Sequence, residues 1–204
     1  MAEKYLDKIY TATTPEAVRD QYNDWAASYD AEIAENGYAT PARCAAALAR
    51  HLSDLTAPVL DFGCGTGLSG LALAAHGFRT IDGVDPAAAM LAQAPKRGLY
   101  RNLHEITPGA ELTFTPGTYA AIAAIGVIGA GAAPPSVLDQ IANALNSGGL
   151  LVFSYNDHAL ADPASTGKRD ALLASGTFRQ IEETYGDHLP GIDIKSSVYV
   201  FEKS

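Results

Sequence analysis

From residue 59 onward, short apolar runs alternate with stretches of helical periodicity, a pattern that predicts a parallel sheet covered by helices on both faces. The strand-like runs are 59–62, 80–84, 99–106, 119–125 and 150–155, and helices are expected over 68–75, 87–94 and 136–145. The last helical stretch stops at Asn146-Ser147-Gly148-Gly149, where glycine can adopt the left-handed conformation of a helix end. The chain then changes character. Runs 178–185 and 197–202 are rich in strand formers, and Gly186-Asp187-His188-Leu189-Pro190-Gly191 between them leaves no room for a crossover helix. They predict a closing antiparallel pair. The fold class expected is α/β, a doubly wound seven-stranded sheet, mostly parallel with an antiparallel C-terminal strand.

Before the first strand the signals are helical. Thr14-Pro15-Glu16 reads as an N-cap, a proline at the first helical position and an acid in the first turn. Val18, Tyr22, Trp25, Tyr29 and Ile33 recur at intervals that place them on one helix face. Val18, Trp25 and Ile33 read as a core stripe, whereas Tyr22 and Tyr29 carry phenols for which a bound ligand could supply the hydrogen-bond partner. Thr40-Pro41 repeats the helix-start signal, and Cys44, Leu48, Leu52 and Leu55 continue its apolar face, which makes Cys44 a buried filler rather than a nucleophile.

Composition narrows the setting. A chain of 204 residues, 48% of them hydrophobic, suits a single domain with a substantial core. No apolar run is long enough to cross a bilayer, and Met1-Ala2-Glu3-Lys4 lacks the basic-then-apolar order of a signal peptide, so a cytoplasmic protein without membrane association is expected. A net charge of −9 works against binding nucleic acid, and Lys168 and Arg169 are too few to make a basic surface. The expected partner is a small molecule, and the expected assembly a monomer or homodimer. Cys44 and Cys64 are the only cysteines, without metal-site spacing, and no metal is expected.

Candidate chemistry begins at Val59-Leu60-Asp61-Phe62-Gly63-Cys64-Gly65-Thr66-Gly67. A strand ends in a carboxylate, and three alternate glycines carry the backbone into a helix whose first turn offers unpaired N–H groups. The loop reads as a cofactor seat. Asp85, in Gly83-Val84-Asp85-Pro86, ends the second strand on the same sheet edge and can accept both hydrogen bonds of a ribose diol; the alternative is that it caps the following helix. Gly65-Thr66-Gly67-Leu68-Ser69-Gly70 also satisfies the dinucleotide pattern, so a nicotinamide-dependent oxidoreductase is an alternative. Against it stand Asp61, an awkward neighbour for a pyrophosphate but a fitting one for an ammonium, and the long helical stretch before the first strand.

These residues resemble the class I methyltransferases that use S-adenosylmethionine. The resemblance runs through Asp61-Phe62-Gly63-Cys64-Gly65-Thr66-Gly67, Gly83-Val84-Asp85-Pro86 with Met90-Leu91, the stretch from Tyr119 to Ile128, and Ser147-Gly148-Gly149-Leu150-Leu151-Val152-Phe153. Tyr22-Asn23-Asp24-Trp25-Ala26-Ala27-Ser28-Tyr29-Asp30 and Gly37-Tyr38-Ala39-Thr40-Pro41 are similar to the methyltransferase-like subfamily named after the Williams–Beuren syndrome region.

The resemblance implies a Rossmann-like core over 57–204 under an N-terminal helical lid over 1–56, in one domain. It implies that Gly63, Gly65 and Gly67 line the methionine part of the cofactor and that Asp61 orients the loop or binds the amino group. Asp85 would hold the ribose hydroxyls, and Pro86 and Met90 would lie against the adenine. The Ile106 main chain and the Thr107 hydroxyl would read the adenine edge, where the family often places an acid. Ile125 and Gly126 would pass near the sulfonium, and Tyr22 and Tyr29 would lid the site. Ala120 stands where an acid is common. Methyl transfer from a sulfonium needs chiefly alignment and exclusion of water, with a base only if the acceptor carries a proton. Tyr22 and His158 are the candidates for catalytic residues, although His158 reads more readily as a solvated loop histidine than as a base. A non-catalytic cofactor-binding module on the same fold is a further alternative. The product of transfer would be S-adenosylhomocysteine.

Overall fold

The computed structural model describes residue 12 and residues 14–204. The expectation of no leader at Met1-Ala2-Glu3-Lys4, and the first part of the expected lid, lie outside these residues. The described chain runs α1 (Pro15–Trp25), α2 (Tyr29–Glu35), α3 (Thr40–His51), β1 (Val59–Phe62), α4 (Leu68–Ala75), β2 (Ile81–Asp85), α5 (Ala88–Leu91), a 3₁₀ turn (Ala94–Arg97), β3 (Tyr100–Glu105), β4 (Ala121–Ala124), α6 (Val137–Ala144), β5 (Leu150–Asn156), α7 (Asp157–Ala161), α8 (Pro163–Ala174), β6 (Phe178–Leu189), a 3₁₀ turn (Pro190–Ile192) and β7 (Ile194–Lys203).

The seven strands form one sheet in the order β3-β2-β1-β4-β5-β7-β6. Strands β1 to β5 pair in parallel, while β7 is antiparallel to both β5 and β6. The fold is Rossmann-like, as the alternation of runs predicted. Strand β1 is buried along its whole length, and its side chains alternate between the two faces. Val59 packs with Cys44, Leu48, Leu73, Ala121 and Val152 on the α3/α4 side. Leu60 and Phe62 pack with Ile122, Ile141, Phe153 and Tyr199 on the other. Two helix-covered faces explain why the central strands read as continuous apolar runs.

Three expectations change. The aromatic stripe of the N-terminal segment is carried by two helices. The chain turns at Ala26-Ala27-Ser28, where the Ser28 hydroxyl donates to Glu32 at 2.6 Å and starts α2. Tyr22, Trp25 and Tyr29 still form one cluster, with Trp25 and Tyr29 edge to face at 4.7 Å between centroids. The lid is also narrower than residues 1–56: α3 packs on α4, β5 and β7 and belongs to the helical layer of the core. Finally, β5 is followed by two helices and not by a loop. Asn156 caps α7 by accepting from Ala159 N–H, and Asp162 caps α8 by accepting from Ala164 and Ser165 N–H. Asp162-Pro163 was a readable start signal for α8.

Among the described residues no helix is long and apolar enough to cross a membrane. The antiparallel pair extends beyond the expected strand ends, and because β7 opposes β5, Asn156 lies level with Ser196, with Leu189 opposite Ile194 on the next strand. The end of β6 therefore reaches the carboxyl edge of the sheet, beside the cleft.

Candidate functional site

Strand order reverses between β1 and β4, so the crevice above their carboxyl ends is where this topology leaves room for a ligand. The larger of two adjoining cavities lies there. Its floor is the loop after β1, tied to β2 by the Gly63 and Cys64 N–H groups, which both donate to Val84 O, at 2.8 and 3.0 Å. Gly63 and Gly65 line the cavity with positive φ of 73° and 52°, a region that favours glycine. A methyl group on Gly63 would sit 2.5 Å from Val127 Cγ1, whereas one on Gly65 would have nothing nearer than Asp85 Oδ2 at 4.0 Å. Gly63→Ala is expected to cost about 2 kcal/mol from strain and overlap, and Gly65→Ala about 1 kcal/mol from strain alone. Thermal denaturation of the two variants side by side checks that order.

Gly67 does not line this cavity. Its φ is 92°, and an added methyl would meet Arg97 Cγ at 3.1 Å and Tyr100 Cε2 at 3.2 Å. A methyl on Gly70 would meet the same Tyr100 hydroxyl, and one on Gly83 would lie 3.0 Å from the ring's Cε1. These three glycines make a slot for one phenol. Through it Tyr100 OH reaches Asp61, donating to Oδ2 at 2.7 Å beside the Ser69 hydroxyl at 2.6 Å. The expected placement of Gly67 against the cofactor is therefore corrected.

Asp61, expected to orient the loop or to bind the amino group, stands behind the loop. It is fully buried and absent from the cavity wall, so it holds the loop and helix α4 through Ser69 and Tyr100. Its Oδ1 is buried without a hydrogen-bond partner among the described residues. Burial raises its carboxyl to about 6 against the lowering effect of Ser69 and Tyr100.

Asp85 does reach the cavity. Its Oδ2 accepts from Gly65 N–H and its Oδ1 from Ala87 N–H, each at 2.8 Å. The bond to Ala87 closes a turn ahead of α5, whose N-cap position is Ala87 and not Asp85, and each carboxylate oxygen keeps a second lone pair. Burial raises this carboxyl too, to about 6, offset by the two backbone donors.

Pro86 and Met90 continue the wall from Asp85, and Ile106 and Thr107 add the end of β3. Ile106 N–H is spent on Asp85 O at 3.2 Å, so the main-chain contact expected of Ile106 is left to its carbonyl. Ile125 and Gly126 lie opposite, and Tyr22 and Tyr29 close the side under the lid. The lid is latched: Asp30 of α2 accepts from the Thr66 hydroxyl at 2.6 Å and pairs with Arg97. Asn23 of α1 accepts from Ala89 N–H at 2.9 Å.

His158 is exposed on α7 and lines neither of the two cavities, so the structure does not bring it to the site. Several residues here were not singled out from the sequence as site residues. Tyr38 lines both cavities, and His188, eight per cent exposed, lines the second one. Tyr100 and His188 are far in sequence from what they touch, and no local pattern marks them.

The comparisons with known proteins agree with this geometry. A human protein, methyltransferase-like protein 27, is 35% identical over 133 residues, a match spanning 64% of this chain and 54% of the relative; the chain thus spans about half the length of that relative. A [4+2]-cyclase, SpnF, has a similar structure with a TM-score of 0.61 at 15% identity, over 79% of this chain and 81% of that one. A SAM-dependent methyltransferase from Geobacter sulfurreducens, solved with S-adenosyl-L-homocysteine, gives 0.57 at 14% identity over 79% and 91%. These two show the fold. The model of the methyltransferase domain family matches residues 36–194, and the chain belongs to that family.

Proposed function

We propose that the larger cavity binds S-adenosylmethionine and that the protein transfers its methyl group to a small-molecule acceptor. The observation that carries this reading is Asp85, a buried carboxylate on the cavity wall whose oxygens are fixed by two backbone donors and can still accept a diol. Gly63 and Gly65 offer bare main chain to the methionine part, Pro86 and Met90 take one side of the adenine, and the Ile106 carbonyl and Thr107 hydroxyl its edge. Asp61 supports the loop without touching the ligand. Tyr22 and Tyr29, with Ile125 and Gly126, exclude water from the sulfonium, which raises the rate by alignment and not by acid–base chemistry. Apart from Asp85, the ionisable residues on the wall are Arg19, which is paired with Asp20, Cys64 and three tyrosines. Burial pushes Cys64, Tyr29 and Tyr38 upward, leaving all three neutral near pH 7.

Calorimetry on the intact protein tests the reading, with S-adenosylmethionine expected to bind and NADH to give no fluorescence enhancement. A protein that binds NADH and not S-adenosylmethionine would be an oxidoreductase. Release of S-adenosylhomocysteine with an acceptor separates a transferase from a cofactor-binding module or a cyclase of this fold. The affinity should also depend on pH. A diol is bound by ionised Asp85, whose carboxyl sits at about 6 in the free protein, so affinity falls as the pH drops through that value. At one pH unit below it, roughly one tenth of the sites are ionised and binding weakens about tenfold. Stability of the free protein moves oppositely: a raised carboxyl contributes most below the ordinary carboxylate range and loses that contribution as pH rises through about 6. A flat affinity between pH 5 and 7.5 would remove Asp85 from the diol role.

A further inference from the structure

The second cavity shares Tyr22, Tyr29, Tyr38, Gly126 and Ala132 with the larger one and extends toward the end of β6. Trp25, Ile33, Ile128 and Leu189 give its wall aromatic and aliphatic side chains beside neutral polar groups, and neither an acid nor a lysine or arginine lines it. Tyr22, Tyr29, Tyr38, Trp25, Ser154, Asn156 and His188 bring polar side-chain atoms to its lining.

The state of His188 follows from its hydrogen bonds. Arg43 Nη1 donates to Ser196 Oγ at 2.9 Å, Ser196 Oγ lies 2.9 Å from Thr40 Oγ1, and Thr40 Oγ1 lies 2.8 Å from His188 Nδ1. Thr40 and Ser196 have no exposure to solvent. Guanidinium only donates, so Ser196 accepts from Arg43 and its own hydrogen has one destination, Thr40. The Thr40 hydrogen then goes to His188 Nδ1, which must be the unprotonated nitrogen. The relay is directional, Arg43 to Ser196 to Thr40 to His188, and each donor polarises the next. The hydrogen of the neutral ring is therefore on Nε2, which has no protein partner among the described residues. Burial lowers the histidine to about 4; Asp157 opposes this, and the charges of Arg43 and His158 add to it. Asn156 is used in the same sense: its carbonyl oxygen accepts from Ala159 N–H at 3.0 Å, which leaves its NH₂ as a donor.

From this arrangement we infer that the second cavity seats an acceptor carboxylate on an apolar, preferably aromatic, body, held by the Nε2–H of His188 and the amide N–H of Asn156. In this tautomer the basic lone pair of His188 is on Nδ1 and is engaged by the Thr40 hydroxyl, so Nε2 offers the cavity a hydrogen and no base. A phenol or amine that must first lose a proton finds no base in the cavity, whereas a carboxylate is ionised already. The inference rests on the larger cavity being the cofactor's seat, since the sulfonium there supplies the positive charge these walls lack. Transfer then forms the bond from carboxylate oxygen to methyl carbon as the carbon–sulfur bond breaks. The sulfur keeps that electron pair and becomes a neutral thioether, with no proton to move.

Long-range ¹H–¹⁵N spectra of the intact labelled protein, with His188→Gln to assign the resonance, read the tautomer directly, and the Nε2–H pattern is expected. Benzoate and benzylamine are then titrated with and without S-adenosylhomocysteine. Benzoate should shift the His188 resonance while benzylamine leaves it unmoved. His188→Leu should weaken benzoate about tenfold or more, and His188→Gln, which keeps a donor, less than half as much on a logarithmic scale. S-adenosylhomocysteine affinity should be unchanged in both variants. An Nδ1–H pattern, equal binding of the amine, or full benzoate affinity in His188→Leu each overturns the inference. Loss of S-adenosylhomocysteine binding to the unmodified protein would instead sink the proposed function, and the tautomer reading would stand apart from it.

Discussion

Asp85→Ala should lower S-adenosylmethionine affinity about hundredfold, measured by calorimetry at pH 7.5. Two hydrogen bonds from a diol to a carboxylate contribute about 3 kcal/mol together, and that corresponds to two powers of ten. The same substitution frees Gly65 and Ala87 N–H, each held at 2.8 Å, so the loop also loses its fixed shape. The folded protein should tolerate the change, because removing a buried carboxylate offsets the cost of leaving those donors without an acceptor. Thermal denaturation should thus show a shift of a few degrees at most. Asp85→Asn should fall between, since a carboxamide has one oxygen for the two backbone donors. Retention of affinity within threefold in the alanine variant would move the ribose elsewhere in the cavity.

The second large effect is on stability and lies three residues before Asp85 on the same strand. Asp82 is three per cent exposed and accepts from five groups: Arg101 Nε at 3.0 Å and Nη2 at 2.6 Å, Asn102 N and Nδ2 at 3.0 and 3.1 Å, and Tyr119 OH at 3.0 Å. These bonds hold the carboxyl below the usual carboxylate range against the opposing effect of burial. Asp82→Ala should destabilise the protein by about 3 kcal/mol. The buried Tyr119 hydroxyl and the Asn102 N–H lose their acceptor, while half-exposed Arg101 turns to water at little cost. Chemical denaturation measures it. Cofactor affinity, extrapolated to fully folded protein, should not change, which separates this carboxylate from Asp85 on the same strand. Equal stability of the variant and the parent would mean that the network contributes nothing.

The sheet was legible because burial on two faces writes itself into the chain as apolar runs, with helical periodicity in most of the stretches between the parallel strands. The stretch 157–177 was harder, since α7 and α8 bury few residues and announce themselves mainly by the caps Asn156 and Asp162. In the site, what local sequence could express was expressed: glycine at positive φ in Gly63 and Gly65, and a carboxylate at a strand end in Asp85. What it could not express was direction. Gly63, Gly65 and Gly67 alternate identically in sequence, yet the turn at Gly67 points its open side to Tyr100 and away from the cavity.

By itself, then, the sequence determined the layered α/β fold, the loop after β1 as a ligand seat, and Asp85 as the acid beside it. Those features depend on periodicity and on backbone preferences that each residue carries with it. The tertiary structure decided which of two acids meets the cavity, why Gly67 and Gly70 are glycine, and that His188 and not His158 lines the second cavity. Asp61 takes its partners from helix α4 and strand β3, and His188 takes its tautomer from Arg43, Ser196 and Thr40. Contacts between residues so far apart in the chain exist only once packing has brought them together, so no local pattern could contain them.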